Sequence, residues 1–252
     1  MKKELLNCLI AKSQRKRNWF VMPGHKGRDF GYLKGLNLSA DTTETYDTDN
    51  LNNPVDIIMR SQERAAEIFG AKKTYYTING TSGAMIAAVT ALTLPGDKIL
   101  VSRNCHVCVY RAAAIRRLEL DYILPEVKDT VDRNVTPEEV EKRIIETDPK
   151  LVIVTNPTFF GYTTDIQKIV DICNKHGVLL IVDEAHGAHF PFSDNLPLSA
   201  VHAGADIVVH STHKTLLGLT SANMIHVCSN RVDTEELMRC ITTYQTTSPN
   251  YL

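Results

Sequence analysis

From residue 70 onward the chain alternates between short apolar runs rich in Val, Ile and Leu and longer amphipathic stretches, and this alternation constrains the fold more than any other feature. "TYYTI" (74–78) leads into "GTSGAMIAAVTALTL". "KILVS" (98–102) precedes a helical stretch over about 106–117, and "LELDYIL" (118–124) reads as the next strand. "TPEEVEKRIIE" (136–146) opens with Thr at the N-cap, Pro at N1 and acids in the first turn, the signature of a helix start. "KLVIVTN", the helix "DIQKIVDICNKHG", "VLLIVDEA", "ADIVVHS" and "NMIHVCS" complete the pattern. Continuous apolar strands separated by helices predict an α/β fold: an αβα sandwich whose mostly parallel sheet is covered on both faces. The segments 74–78, 98–102, 150–155, 178–183 and 206–210 are expected in one sheet. The first 69 residues are less regular, which predicts an N-terminal arm and irregular segment (1–69) ahead of one large domain (70–252).

The bulk numbers exclude several classes. The chain has 252 residues and a formal net charge of −1, so no global basic field points to nucleic acid or an anionic membrane. The basic cluster Lys12–Arg17 lies in a segment whose Leu5, Leu6, Leu9 and Ile10 form an apolar stripe, as in a docking helix with a solvated face. No apolar run is long enough to span a bilayer. The six cysteines (Cys8, Cys105, Cys108, Cys173, Cys228, Cys240) lie mostly in apolar periodic segments with no secretory signal ahead of them. Reduced thiols in a cytoplasmic protein are expected, and the lone C-x-x-C at Cys105 and Cys108 has no second pair to make a metal site.

In a parallel sheet of this kind ligands sit beyond the carboxyl ends of the strands. That edge collects Asn79–Gly83, Asn104-Cys105-His106, Asn156-Pro157-Thr158, Asp183-Glu184-Ala185-His186 and Ser211–Lys214. "NGTSGA" offers a tight turn and free N–H groups at a helix start, suited to an anion, although on its own it is equally a plain turn. Asp183 closes a buried strand, where a carboxyl needs a cationic or hydrogen-bonding partner; a helix cap or ion pair competes with a catalytic role. Asp183, Glu184, His186 and His189 are close in sequence, but successive strand residues point to opposite faces and no H-E-x-x-H spacing is present, so no metal is expected. Lys214 follows an apolar strand, where a lowered pKa leaves neutral amine to attack a carbonyl. A lysine for a Schiff base, an acid for a pyridine nitrogen, a phosphate cup, and His106 as a planar group to stack on a ring are together what pyridoxal phosphate requires.

"NGTSGA", "NCHVCVY", "TNPTFFG", "VDEAHGAHF" and "STHKTL" resemble the fold-type I pyridoxal-phosphate enzymes, and more closely the bacterial ornithine/lysine/arginine decarboxylase family. "MPGHKG" (22–27), "DTTETYDTDNL" (41–51) and the terminal "TTSPNYL" are similar to other signatures of that family. The resemblance implies that Lys214 carries the cofactor as a Schiff base, Asp183 pairs with the ring nitrogen, His106 stacks on one ring face and Ala185 packs on the other. Thr81, Ser82 and Ser211 hold the phosphate, Gly83 belongs to the same contact, His213 stands beside the lysine, and His186 bonds near the ring hydroxyl or the substrate carboxylate. Two departures stand out. Val107 and Cys108 follow His106 where the family usually has a basic residue and a serine, and the chain stops at Leu252 where the family continues into a small C-terminal domain.

The implied function is decarboxylation of lysine, arginine or ornithine to an amine in polyamine biosynthesis, by a carboxy-lyase that is at least a homodimer. An aminotransferase or another lyase of the same fold, or a silent cofactor-binding paralogue, is the competing reading, since the same residues serve any bond cleavage at Cα. Without the second domain this chain is expected to bind cofactor but to turn over slowly. Glu44, Asp47 and Asp49 are candidates to recognise a distal cation, against the alternative of a solvated acidic loop.

Overall fold

The computed structural model describes residues 49–128, 130–247 and 249. The helix read near the N-terminus, Cys8, "MPGHKG", Glu44, Asp47 and most of "TTSPNYL" lie outside the described residues. In chain order the elements are α1 (Ile57–Phe69), β1 (Lys73–Thr77), α2 (Gly80–Leu92), β2 (Lys98–Ser102), α3 (Val107–Arg116) and β3 (Glu119–Ile123). A small hairpin of β4 (Val127–Lys128) and β5 (Val131–Asp132) precedes α4 (Pro137–Thr147), β6 (Leu151–Thr155), α5 (Ile166–Lys175) and β7 (Leu179–Asp183). Then come α6 (Ala200–Ala203), β8 (Ile207–His210), α7 (Thr212–Thr215), β9 (Asn223–Val227) and α8 (Thr234–Tyr244).

Seven strands form one sheet in the order β1-β9-β8-β7-β6-β2-β3, and all five expected segments lie in it. The pairs β2–β3, β2–β6, β6–β7 and β7–β8 are parallel, whereas β9 runs antiparallel to both β8 and β1. Among the described strands of this sheet β9 alone is therefore reversed, and the other six carboxyl ends open on the same edge.

Both faces are covered, which explains the unbroken apolar strands: β6 is buried at every residue. On one face Ile153, Ile181, Ile207 and Val209 pack against α2, α3 and α8. On the other, Val152, Val154, Leu180 and Val182 pack against α4, α5 and α6. Helix α2 is apolar nearly all round, as befits a helix enclosed by the sheet and its two neighbours. The read helix start at 136 is a true cap: Thr136 Oγ1 accepts the Glu139 N–H at 3.2 Å, with Pro137 at the first position. Ile57–Phe69, in the stretch read as less regular, is a 13-residue helix whose Phe69 is buried against the sheet.

Candidate active site

A cleft of about 340 Å³ opens at the carboxyl edge. Its walls are strand ends and the turns that follow them, with Thr220 and Ser221 added from the turn that leads into the reversed β9. Lys214 stands on the single-turn helix after β8, with its Nζ 3.1 Å from Nε2 of His186. Burial lowers the basicity of Lys214, against the opposing pull of Asp183 and Cys108. His186 is pushed down to about 4 by burial, reinforced by Lys214, His106 and His213, so a neutral imidazole faces the amine. Asp183 closes β7 at 3% exposure and accepts the Ala185 N–H at 3.1 Å. Burial raises its pKa, opposed by that hydrogen bond, Lys214 and His106.

His106 is the N-cap of α3, its Nδ1 accepting the Cys108 N–H at 3.3 Å while the ring lines the cleft. Ala185 is buried and belongs to the same lining, where its side chain is a single methyl group. Thr81 and Ser82 belong to the first turn of α2, and the Thr81 hydroxyl is hydrogen-bonded to that of Ser211. Two hydroxyls and a helix N-terminus thus converge on one spot. His213 lines the cleft as well, with Nδ1 2.9 Å from the Ala222 carbonyl.

Gly83 is the exception among the expected residues. It is absent from the lining; its N–H goes to the Asn79 carbonyl at 3.3 Å, and a Cβ there would stand 2.6 Å from Asn79 Cβ. Glycine at 83 lets Asn79 close over the first turn of α2. The Asp49 carboxyl accepts the N–H groups of Asn50, Val55, Asp56 and Ile58. Burial works against those bonds, but together they bring its pKa down to about 2.

The lining also includes residues that the sequence reading did not single out. Asn104 Oδ1 and Thr155 Oγ1 are buried with no hydrogen-bond partner, both at the β2–β6 side of the cleft. Phe159 is 79% exposed at the rim, its ring centroid 6.2 Å from that of His186. Asn104 and "TNPTFFG" were in view as residues after strand ends; what the sequence lacked was any sign that these side chains turn inward. Cys108 is a neutral thiol beside Ser82: burial, then Asp183 and Cys105, push it up to about 12. The described cysteines are all unpaired. Among the described residues no helix is long and apolar enough to cross a membrane.

Comparison with known proteins decides the family. The model for "Orn/Lys/Arg decarboxylase, major domain" matches residues 4–252. The chain belongs to this family. Similar members include an arginine decarboxylase of Bacillus cereus, 36% identical over 98% of this chain and 56% of that protein. An arginine decarboxylase of Bacillus subtilis is 37% identical over 92% of this chain and 49% of that protein. The chain thus spans about half the length of these decarboxylases. Lysine decarboxylase A from Pseudomonas aeruginosa has the same fold at a TM-score of 0.72 and 24% identity, covering 97% of this chain and 37% of that one. A variant of SPT solved with PLP has a similar fold as well, at a TM-score of 0.64 and 18% identity, covering 87% of this chain and 53% of that one.

Proposed function

We propose that the cleft binds pyridoxal phosphate through Lys214, and that the chain is the cofactor-binding part of a decarboxylase acting on arginine, lysine or ornithine. The observation that carries this reading is one cleft holding an amine of lowered basicity, a buried carboxyl and a hydroxyl pair at a helix N-terminus. The donor set suits the group: Asn104 Oδ1 and Thr155 Oγ1, buried and unpartnered at the cleft wall, are further polar atoms for a substituted ring or its substrate.

When bound, the cofactor supplies an electron sink for the pair left when a bond to Cα breaks. The chain's own residues then have distinct tasks. Lys214 provides the nitrogen that holds the cofactor, and neutral His186 at 3.1 Å orients that nitrogen without adding charge. Asp183 would face the ring nitrogen, where a carboxylate shielded from water would hold that nitrogen protonated through a close ion pair, against the burial that favours its own protonation. Thr81, Ser82, Ser211 and the α2 N-terminus hold the phosphate. His106 and Ala185 bound the two faces of the ring, His213 braces the lysine's turn, and Phe159 shields the rim from water. Residues 70–252 serve as the cofactor domain of at least a homodimer, tested by light scattering at micromolar concentration.

Adding pyridoxal phosphate should give an absorbance band that borohydride fixes covalently, with the modified peptide mapping to Lys214. Lys214→Ala removes the adduct, while Asp183→Ala weakens retention and leaves the lysine able to react. An adduct on another lysine, with Lys214→Ala labelling normally, would sink the assignment. The reaction class is read from products after incubation with each basic amino acid: CO₂ and an amine support decarboxylation, a keto acid supports amino transfer.

A further inference from the structure

Behind the cleft, on the other face of the sheet, lies a buried row of titratable groups to which the proposed chemistry gives no task. Glu184 follows Asp183 and so points to the opposite face. Its carboxyl, at 0% exposure, lies 2.6 Å from Ser199 Oγ, 2.8 Å from the Ala200 N–H and 2.7 Å from His210 Nε2. His210 ends β8, and Ser211 comes next at the cleft. The His210 ring meets that of His226 edge-on at 4.6 Å, Phe69 covers both, and His226 Nδ1 lies 2.8 Å from Thr74 Oγ1.

A bare carboxylate and an imidazolium are both costly at zero exposure, and a neutral carboxylic acid against a neutral imidazole avoids both costs. Burial acts in that sense on each, pushing Glu184 up to about 8, against its Ser199 and Ala200 bonds, and His210 down to about 3. The location matters more than the charge state. Asp183 and Val209 are the last paired residues of β7 and β8, followed by the Glu184 N–H to Val209 carbonyl bond at 3.1 Å. Beyond it one chain turns toward His186 and the other enters α7. The Glu184–His210 bond is a side-chain tie between the strands just before they diverge into the site.

We infer that Glu184 and His210 are positioning residues: their buried hydrogen bond fixes the end of β7 against the end of β8 and so sets where Asp183 stands relative to Ser211 and Lys214. This rests on the proposed binding of pyridoxal phosphate in the cleft. A pair that served stability alone would be replaceable by apolar side chains of similar size, since such swaps are often neutral or stabilising.

The test measures pyridoxal phosphate affinity by absorbance titration, alongside Tm, on the full chain. Glu184→Gln, whose carboxamide mimics a protonated carboxyl, keeps affinity within about twofold, whereas Glu184→Ala weakens it by about tenfold. The double variant Glu184→Leu/His210→Phe regains the Tm of the wild type but still binds about tenfold more weakly. Should that variant not fold, His210→Leu decides, because it leaves Glu184 its Ser199 and Ala200 bonds, removes the tie and keeps an apolar side chain against Phe69 and His226. Wild-type affinity in whichever of these two variants is folded overturns the inference. A wild-type chain that takes up no pyridoxal phosphate overturns the reading of the cleft and the inference with it, and so separates the two failures.

Discussion

Thr81 and Ser211 are 130 residues apart in sequence, yet their hydroxyls hydrogen-bond at the mouth of α2. If they hold a phosphate, their loss should be felt only by ligands that carry one. Thr81→Val and Ser211→Ala are each expected to weaken pyridoxal phosphate binding by about tenfold, while reaction of Lys214 with unphosphorylated pyridoxal continues at the wild-type rate. Parallel titrations with the two aldehydes check this, and equal losses for both would place the hydroxyls elsewhere in the chemistry. At this scale the sequence was informative where a reactive residue closes an apolar strand or lies within a few residues of its end, as Asp183, Ser211 and Lys214 do. It was silent on pairings across the sheet. Nothing in "VDEAHG" or "VVHST" joins Glu184 to His210, because their contact depends on β7 and β8 being neighbours in register. For Gly83 the sequence leaves two roles open, because a glycine in a small-residue turn serves close packing as readily as a ligand.

Helix α4 was legible from its first four residues, since Thr, Pro, Glu and Glu satisfy the geometry and charge of a helix start without tertiary help. Thr136→Ala removes the hydroxyl that accepts the Glu139 N–H and should cost about 1 kcal/mol in urea unfolding. Labelling at Lys214 should not change, because α4 packs on the sheet face away from the cleft. Helix α1 was not legible. Its buried side is made of Gln62, Ala65, Ala66 and Phe69, while Ile57 and Ile68 are exposed, so its apolar residues do not trace the face it buries. The reversed direction of β9 was equally hidden: an apolar run reports that a strand is buried and says nothing about which way it runs.

Among the described residues several imidazoles are held neutral by full or partial burial, and this bears on how the molecule answers acid. His186 (about 4), His210 (about 3), His189 and His226 all lie below their ordinary 6.5, chiefly through burial. The unfolded chain therefore binds more protons as pH falls below 6.5, and stability drops. Glu184, raised to about 8, works the other way: its contribution is complete below its ordinary 4.5 and is lost as pH rises through 8. Asp183 shares that sense. Four groups against two give a Tm that falls between pH 7 and pH 5, measurable by thermal melts in matched ionic strength; a Tm that rises over that range would contradict the balance. The sheet order has a consequence for synthesis. Among the described residues β1 pairs with β9 alone, and Thr77 meets Asn223 across 146 residues. At about 5–20 residues per second, a ribosome needs roughly 7–30 seconds to make that intervening chain. For that interval the nascent strand that presents Thr81 and Ser82 has no seat, so the phosphate cup is among the last features of the growing protein to exist.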